Sequence, residues 1–537
     1  MKEKFALWHL LFWEYLKRDW KKILFWGLGL AGFSGGFAPY FDDIAQGSGL
    51  LGMYETMKNP AMTAMVGPTP ITDGSQYTIG AMYANEMLLF CSLFAMIIAL
   101  LHVVGHTRKE EDLGLQELIR SFRVGRQANS LAVLMETTLI NLLIGVGTAG
   151  ILMAFKMKGM NLEGSLLFGV SIGLAGIVGS VIGLFFAQIM ATSAGASGAG
   201  LSLVGALYLL RGVSDVSNEK WSMINPLGWT YLTYPFTENR WYPLIIGLIF
   251  SLVVAVIALF LEGKRDLSAG YLPEWSGKAH GSASLLSVPG LFFRMNRGTA
   301  LAWLFTYGIL GAAYGSIYGD MQTFMEGNDL MKQMFTHSGT SLEASFTATI
   351  MMVMIGLGVI LPVVVINKLF TAETRLHLSQ IFSTKVSRKQ LYWWNIWWAL
   401  IFGLLAIVLS AGGLGGSALA VMTDSTKLTM TDFLLAGLNY LPVVLFFIGL
   451  AGLALGVAPQ LGKLIYAYLG YSFAISYFGG ILALPNWVTK TSALNWPSKM
   501  PMDSFEILPF VLVTGISLLM IAFGGIFYGR RDLQEGA

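Results

Sequence analysis

Twelve apolar runs, most of them about 18–25 residues long, leave this chain of 537 residues little choice of fold. They lie near 23–40, 78–104, 130–155, 165–190, 196–211, 241–261, 299–319, 346–368, 392–413, 432–456, 461–484 and 507–528. A run of that length crosses a hydrocarbon core of about 30 Å as an α-helix, because lipid offers no partner to an open backbone amide or carbonyl. The expectation is an all-α polytopic membrane protein of about 12 transmembrane helices. The fifth run, 196–211, is short and rich in Gly, Ala and Ser, small residues that let neighbouring backbones approach. Only 12% of residues are charged, against about a quarter in soluble proteins, so most of the surface must face lipid or other helices. The net charge of +3 is too small and too scattered to suggest nucleic acid. Cys91 is the single cysteine and lies in an apolar run, which excludes an intrachain disulfide and a thiolate metal cage.

The runs fall into two sets of six, and the chain repeats itself at that interval. His106–Gln127 reads HTRKEEDLGLQELIRSFRVGRQ and Leu369–Lys389 reads LFTAETRLHLSQIFSTKVSRK. A shift of 262 places Glu111 on Glu373, Ile119 on Ile381, Ser121 on Ser383, Val124 on Val386 and Arg126 on Arg388, with Arg123 on Lys385. A second echo, Gly263-Lys264-Arg265-Asp266-Leu267, returns as Gly529-Arg530-Arg531-Asp532-Leu533. Residues 1–284 and 285–537 are thus expected to be two six-helix repeats related by a pseudo-twofold axis along the membrane normal. Each opens on an amphipathic segment, Phe5–Lys22 or Leu285–Arg297, expected to lie as an interfacial helix in the headgroup plane. The lysines before the first run resemble a signal peptide, but no small-x-small cleavage site follows, so that run reads as a retained span. With both termini cytoplasmic, 24 of the 34 Lys and Arg fall in cytoplasmic segments, and the positive-inside rule selects this orientation.

No G-x-x-x-x-G-K-[ST] loop is present, so the chain is not expected to hydrolyse ATP or to be an enzyme. The six histidines, His102 and His106 among them, show no H-E-x-x-H spacing, and no metal is expected. No cofactor is expected in this chain. The repeated cytoplasmic segment carries the functional signal. Leu113, Leu115, Leu118, Ile119 and Phe122 form an apolar stripe flanked by Glu110, Glu111, Arg120 and Arg123, which suits a short helix docking in a partner's groove. A helix lying on lipid is the other reading. Recurrence of matched Glu and Arg in two copies favours a twofold partner, which lipid does not require. The proposed coupling residues are Glu110, Glu111, Leu118, Ile119, Ser121, Arg123 and Arg126, with Glu373, Ile381, Ser383, Lys385 and Arg388.

Facing outward, Met53, Met57, Met62 and Met65 follow the first span, and Met321, Met325, Met331 and Met334 the seventh. Pliable thioethers could line a greasy gate, although packing of loop helices is their commoner role. Asn225-Pro226-Leu227-Gly228-Trp229, and Asn495-Trp496-Pro497 with Pro485 and Trp487, suggest broken hairpins before the last span of each half. Glu86 and Glu136 lie inside spans and must face protein or water; Glu86 and Trp229, with Met53, Met57, Met321 and Met325, are the candidate substrate path. Glu136 is expected to pair with Arg108 or Arg126, and Gln188 and Asn395 to bond between helices.

These features together resemble the ABC-2 type permeases, in the tandem-repeat branch that exports polyketide antibiotics such as tetronasin. The likeness is carried by Glu111/Ser121/Arg126, Glu373/Ser383/Arg388, the lead-in helices, Asn-Pro-Leu-Gly-Trp and the Arg-Asp-Leu tags. It implies a bacterial cytoplasmic membrane and two copies of a separate cytoplasmic ATP-binding subunit that carries the ATP and magnesium. It also implies a hydrophobic or amphiphilic small-molecule substrate moving outward, as in antibiotic efflux and drug resistance. The Asn-Pro-Leu-Gly-Trp stretch stands only in the first half, so the second hairpin reads as degenerate. The competing reading is an ion-gradient-driven secondary multidrug transporter, which requires charged relays inside the spans that the sequence does not display.

Overall fold

Where the apolar runs stand, the chain is helical. The structure, a computed structural model, describes residues 2–45, 49–58, 60–272, 280–320, 341–422, 428–478 and 484–532. Among these there is no strand, and ten helical segments are long and apolar enough to cross a membrane. The protein is an all-α polytopic membrane protein. Its contacts divide into two units, Met1–Ser276 and Gly277–Ala537.

Numbering the principal helices in chain order, the first unit holds α1 (Trp8–Gly36), α2 (Ile79–His106), α3 (Ala128–Phe155), α4 (Leu162–Ile189), α5 (Ser193–Ser217) and α6 (Tyr242–Lys264). Side-chain caps start three of them: Thr78 accepts from the Ala81 amide, Asn161 from Gly164 and Thr192 from Gly195. α1 joins the amphipathic lead-in and the first span in one helix of 29 residues, because no Pro stands between Trp8 and Gly36 to part them. α5 is longer than the run 196–211, since the Thr192 cap lets its small residues continue the helix. α4 is the centre of this unit. Glycines bring its backbone against its neighbours: a Cβ on Gly179 would stand 2.1 Å from the Met96 carbonyl of α2, and one on Gly169 2.1 Å from the Gly145 carbonyl of α3.

The second unit holds α7 (Val288–Gly315), α8 (Leu342–Gly358), α9 (Ile360–Thr374), α10 (Arg388–Val421), α11 (Met430–Leu438), α12 (Leu441–Val457), α13 (Leu464–Phe478) and α14 (Ile507–Arg530). Two expected spans are each interrupted once, and proline explains both. Pro362 has no N–H for the Gly358 carbonyl where α8 ends, and Pro442 none for Leu438 where α11 ends. α7 again merges lead-in and span, starting at a Ser287 cap with Pro289 in its first turn. The run 461–484 is met by α13, and 479–483 lie outside the described residues. Ser387 and Gln390 form a capping box for the 34 residues of α10.

Candidate functional site

The repeated segment begins where α2 ends. Arg108–Asp112 makes one turn, Gly114 takes the left-handed conformation at φ +74°, and Leu115–Arg120 makes the next. In the second unit Leu376 stands 262 positions on and adopts φ +61°, so the same reversal is kept without the glycine. A shared backbone reversal, more than shared side chains, defines the repeat.

Glu111 points inward. Its carboxylate accepts two bonds from the Arg265 guanidinium, 2.8 Å at Oε1 and 2.6 Å at Oε2, a third from the Ser268 amide at 2.6 Å and a fourth from Arg108 Nη1 at 3.0 Å. Arg265 also donates from Nε to Gln188 Oε1 at 2.9 Å, and buried Arg108 donates to the carbonyls of Ala191, Ser268 and Ala269. The second unit repeats the arrangement: Arg531 forks onto Glu373 with both bonds at 2.6 Å, and its Nε donates to the Leu455 carbonyl at 3.0 Å. The two echoes of the sequence are therefore partners, the tag after the last helix clasping the segment that follows the second span. Glu111 and Glu373 are 6% and 1% exposed, so neither carboxylate is turned to the outside of its unit.

Glu110 is also buried, accepting from Tyr15 at 3.2 Å and pairing with Arg18 at 2.9 Å. The N-terminal segment is stitched to the same segment, with the Gly125 amide donating to the Ala6 carbonyl and Gln127 to Lys4. An apolar stripe faces out in the first unit: Leu118 is 63% and Phe122 68% exposed, with Leu113 and Leu115 beside them. Ser121, Arg123 and Arg126 are exposed, and Arg126 donates to the Arg265 carbonyl; Ile119 is half-buried. Burial draws the Arg120 guanidinium below its ordinary pKa, while Glu262 and Glu111 act the other way. In the second unit Leu376, Ser383 and Lys385 are exposed and Ile381 is half-buried; half-buried Arg388 lies 5.4 Å from the Tyr528 ring centre.

Glu136 departs from expectation. It meets neither Arg108 nor Arg126; its Oε2 lies 3.4 Å from His102 Nε2, while Oε1 is buried with no hydrogen-bond partner among the described residues. Arg108 is committed to the clasp, and α3 turns Glu136 toward α2 instead. His106 follows one helical turn after His102, and its Nε2 lies 2.5 Å from Asp19 Oδ2 on α1. One ring nitrogen of each histidine and one oxygen of Glu136 lie within 4.8 Å of one another. A search for H-E-x-x-H passes over this trio because its carboxylate comes from another helix; the i, i+4 histidines were the visible signal.

The outward residues divide. Met53 and Met57 are buried in the first unit's core, in the packing role, whereas Met321 and Met325, with Met331 and Met334, lie outside the described residues. Glu86 is half-buried with Oε1 unpartnered among the described residues. Trp229 donates its indole N–H to the Met223 carbonyl at 2.7 Å, and Trp496 does the same to Lys490 at 2.9 Å, each reaching back six residues. The second hairpin thus keeps this turn contact, because an indole N–H and a backbone carbonyl suffice for it. Gln188 bonds Arg265 as described, and Asn395 Nδ2 of α10 donates to the Ile366 carbonyl of α9 at 3.3 Å.

Polytopic helices, a clasped reversal repeated in both units and an apolar patch outside the spans define the class as an all-α polytopic membrane protein. Residues 285–529 match the family model described as the C-terminal domain of the multidrug efflux system permease Rv1217c. Over 483 residues, 89% of this chain and 86% of the relative, the sequence is 26% identical to the multidrug efflux system permease protein Rv1217c of Mycobacterium tuberculosis. The likeness runs through both units.

Proposed function

We propose that this chain is the membrane permease subunit of an ATP-driven ABC exporter. It moves hydrophobic or amphiphilic drugs and antibiotics out across a bacterial cytoplasmic membrane, and two copies of a separate ATP-binding subunit power it. The observation that carries this reading is the exposed face of Leu113, Leu115, Leu118 and Phe122, held outside the spans by the Glu111–Arg265 clasp. Apolar side chains that exposed on a short rigid turn are what a partner's groove takes up. The similarity to a multidrug efflux permease supports the substrate class.

Substituting buried Glu111 would disturb the fold, so the test belongs on the exposed face. The paired change Leu118→Glu with Phe122→Glu should leave the Tm of the detergent-purified chain unaltered, abolish co-purification of the ATP-binding subunit and lower ATP-dependent drug efflux from vesicles at least about tenfold, the effect of losing roughly 1.4 kcal/mol or more of binding. Undiminished co-purification would overturn the docking assignment. A second reading, an ion-gradient-driven secondary transporter, draws on the buried His102, His106 and Glu136 of α2 and α3. Drug export by the chain alone in vesicles with an imposed proton gradient and no ATP would establish it in place of the first.

A further inference from the structure

We propose that His102, His106 and Glu136 form a binding site for a divalent transition-metal ion of the zinc class. All three are buried, at 4%, 6% and 0% exposed. His102 Nε2 and Glu136 Oε2 stand 3.4 Å apart, and two ligands each about 2.0–2.1 Å from a tetrahedral ion are separated by roughly that distance. The third donor, a ring nitrogen of His106, comes from the next turn of the same helix face, and all three ligand atoms lie within 4.8 Å of one another.

Hydrogen bonding around the trio fits a cation ligand. Among the described residues, Glu136 Oε1 is buried without a hydrogen-bond partner beside the histidines. His106 has both ring nitrogens against oxygen acceptors, Nδ1 at 2.9 Å from the His102 carbonyl and Nε2 at 2.5 Å from Asp19. An imidazolium donates from both nitrogens, whereas a neutral imidazole has one donor and one acceptor. A metal ion on Nδ1 would take the place of a proton there while Nε2–H stays on Asp19, the carboxylate–histidine–metal order in which an outer carboxylate fixes the ring. Imidazole and carboxylate donors suit zinc and its neighbours better than calcium or magnesium. Lys22, 2.7 Å from Asp19 Oδ1, and Arg18, 3.3 Å from Oδ2, also pair with that outer carboxylate. A cleft lined by Trp26, Ala95, Ala99, Thr137 and Asn141 reaches His102. At the shifted positions the second unit has Val364, Lys368 and Trp398, so the site belongs to one unit of the pair.

The full chain, purified in detergent and stripped with a chelator, is titrated with zinc and with cobalt as a spectroscopic probe. One ion per chain is expected, with visible d–d bands of a nitrogen- and oxygen-ligated cobalt. His102→Gln and Glu136→Gln should each abolish them, and Asp19→Asn should weaken binding roughly 10–100-fold. Glu136→Gln preserves side-chain shape, so its elution as a single species separates a lost ligand from a lost fold. A zinc-dependent rise in the Tm of the unaltered chain is the readout that needs no variant. Absence of that rise, or equal cobalt binding by Glu136→Gln, overturns the proposal.

Discussion

Glu111 and Glu373, named in the sequence as coupling residues, are each committed in the fold to an arginine of the tag that follows the last helix of their unit. Their recurrence beside recurring Arg265 and Arg531 was visible in the sequence, but spacings of 154 and 158 residues carry no direction, and the fold alone places each pair in contact. Both are forked guanidinium–carboxylate pairs with little solvent, so removing one member strands a buried charge. Glu111→Ala and Arg531→Ala should each lower stability by about 3–5 kcal/mol, read as a large fall in Tm in detergent. A fall matching the 0–1 kcal/mol of a surface pair would show the clasp to be solvated. Leu376 offers a change of opposite sign. Its left-handed φ of +61° costs an L-residue about 1–2 kcal/mol, which glycine, as at Gly114, does not incur. Leu376→Gly should therefore raise Tm slightly, by the equivalent of up to about 1 kcal/mol after the extra chain entropy of glycine is subtracted. A fall in Tm would mean that the exposed leucine contributes packing in the intact chain.

At the level of elements, hydropathy located the helices well, since a span announces itself by length and apolarity alone. What it missed were continuities and breaks. The lead-in at Phe5–Lys22 changes polarity at Lys22, yet its backbone has no reason to stop, and the result is the single α1. Pro362 and Pro442 do the reverse, dividing apolar runs that hydropathy joins. The His102–His106–Glu136 trio lay beyond a linear reading because two helices supply it, whereas the exposed Leu118 and Phe122 follow directly from the stripe. Packing of α4 also follows from a visible pattern, glycine recurring along a span, but which glycine touches which helix does not. Gly179 is the sharpest case. The atom a Cβ would meet is the backbone oxygen of Met96 at 2.1 Å, which cannot rotate away, so Gly179→Ala must part α2 from α4. A loss of about 1–3 kcal/mol is expected, measured by unfolding in detergent. The same change at Gly150, with open space around its Cβ, is the control and should be neutral or stabilising.

For the whole molecule, duplication makes a demand that composition does not. Two copies of one docking segment serve a common partner only if they emerge on the same side of the membrane. Between the segment after α2 and the segment after α9 lie six stretches able to cross: Ala128–Phe155, Leu162–Ile189, Ser193–Ser217, Tyr242–Lys264, Val288–Gly319 and Leu342–Thr374. Six is even, so if each crosses, both segments are expected on one side whichever way the chain is inserted, and the bias of Lys and Arg makes the cytoplasm the expected side. The native thiol does not interfere, because Cys91 is buried. Cysteine placed at exposed Ser121 or exposed Ser383 should react with a membrane-impermeant maleimide only in inverted vesicles, and cysteine at Lys158, one span away from Ser121, only in intact cells. Labelling of Ser121→Cys and Ser383→Cys from opposite faces would mean that one of the six stretches does not cross, and a single energising partner could not then engage both copies. Labelling of both from outside would keep the parity and reverse the orientation, and it would remove the cytoplasmic ATP-binding subunit from reach.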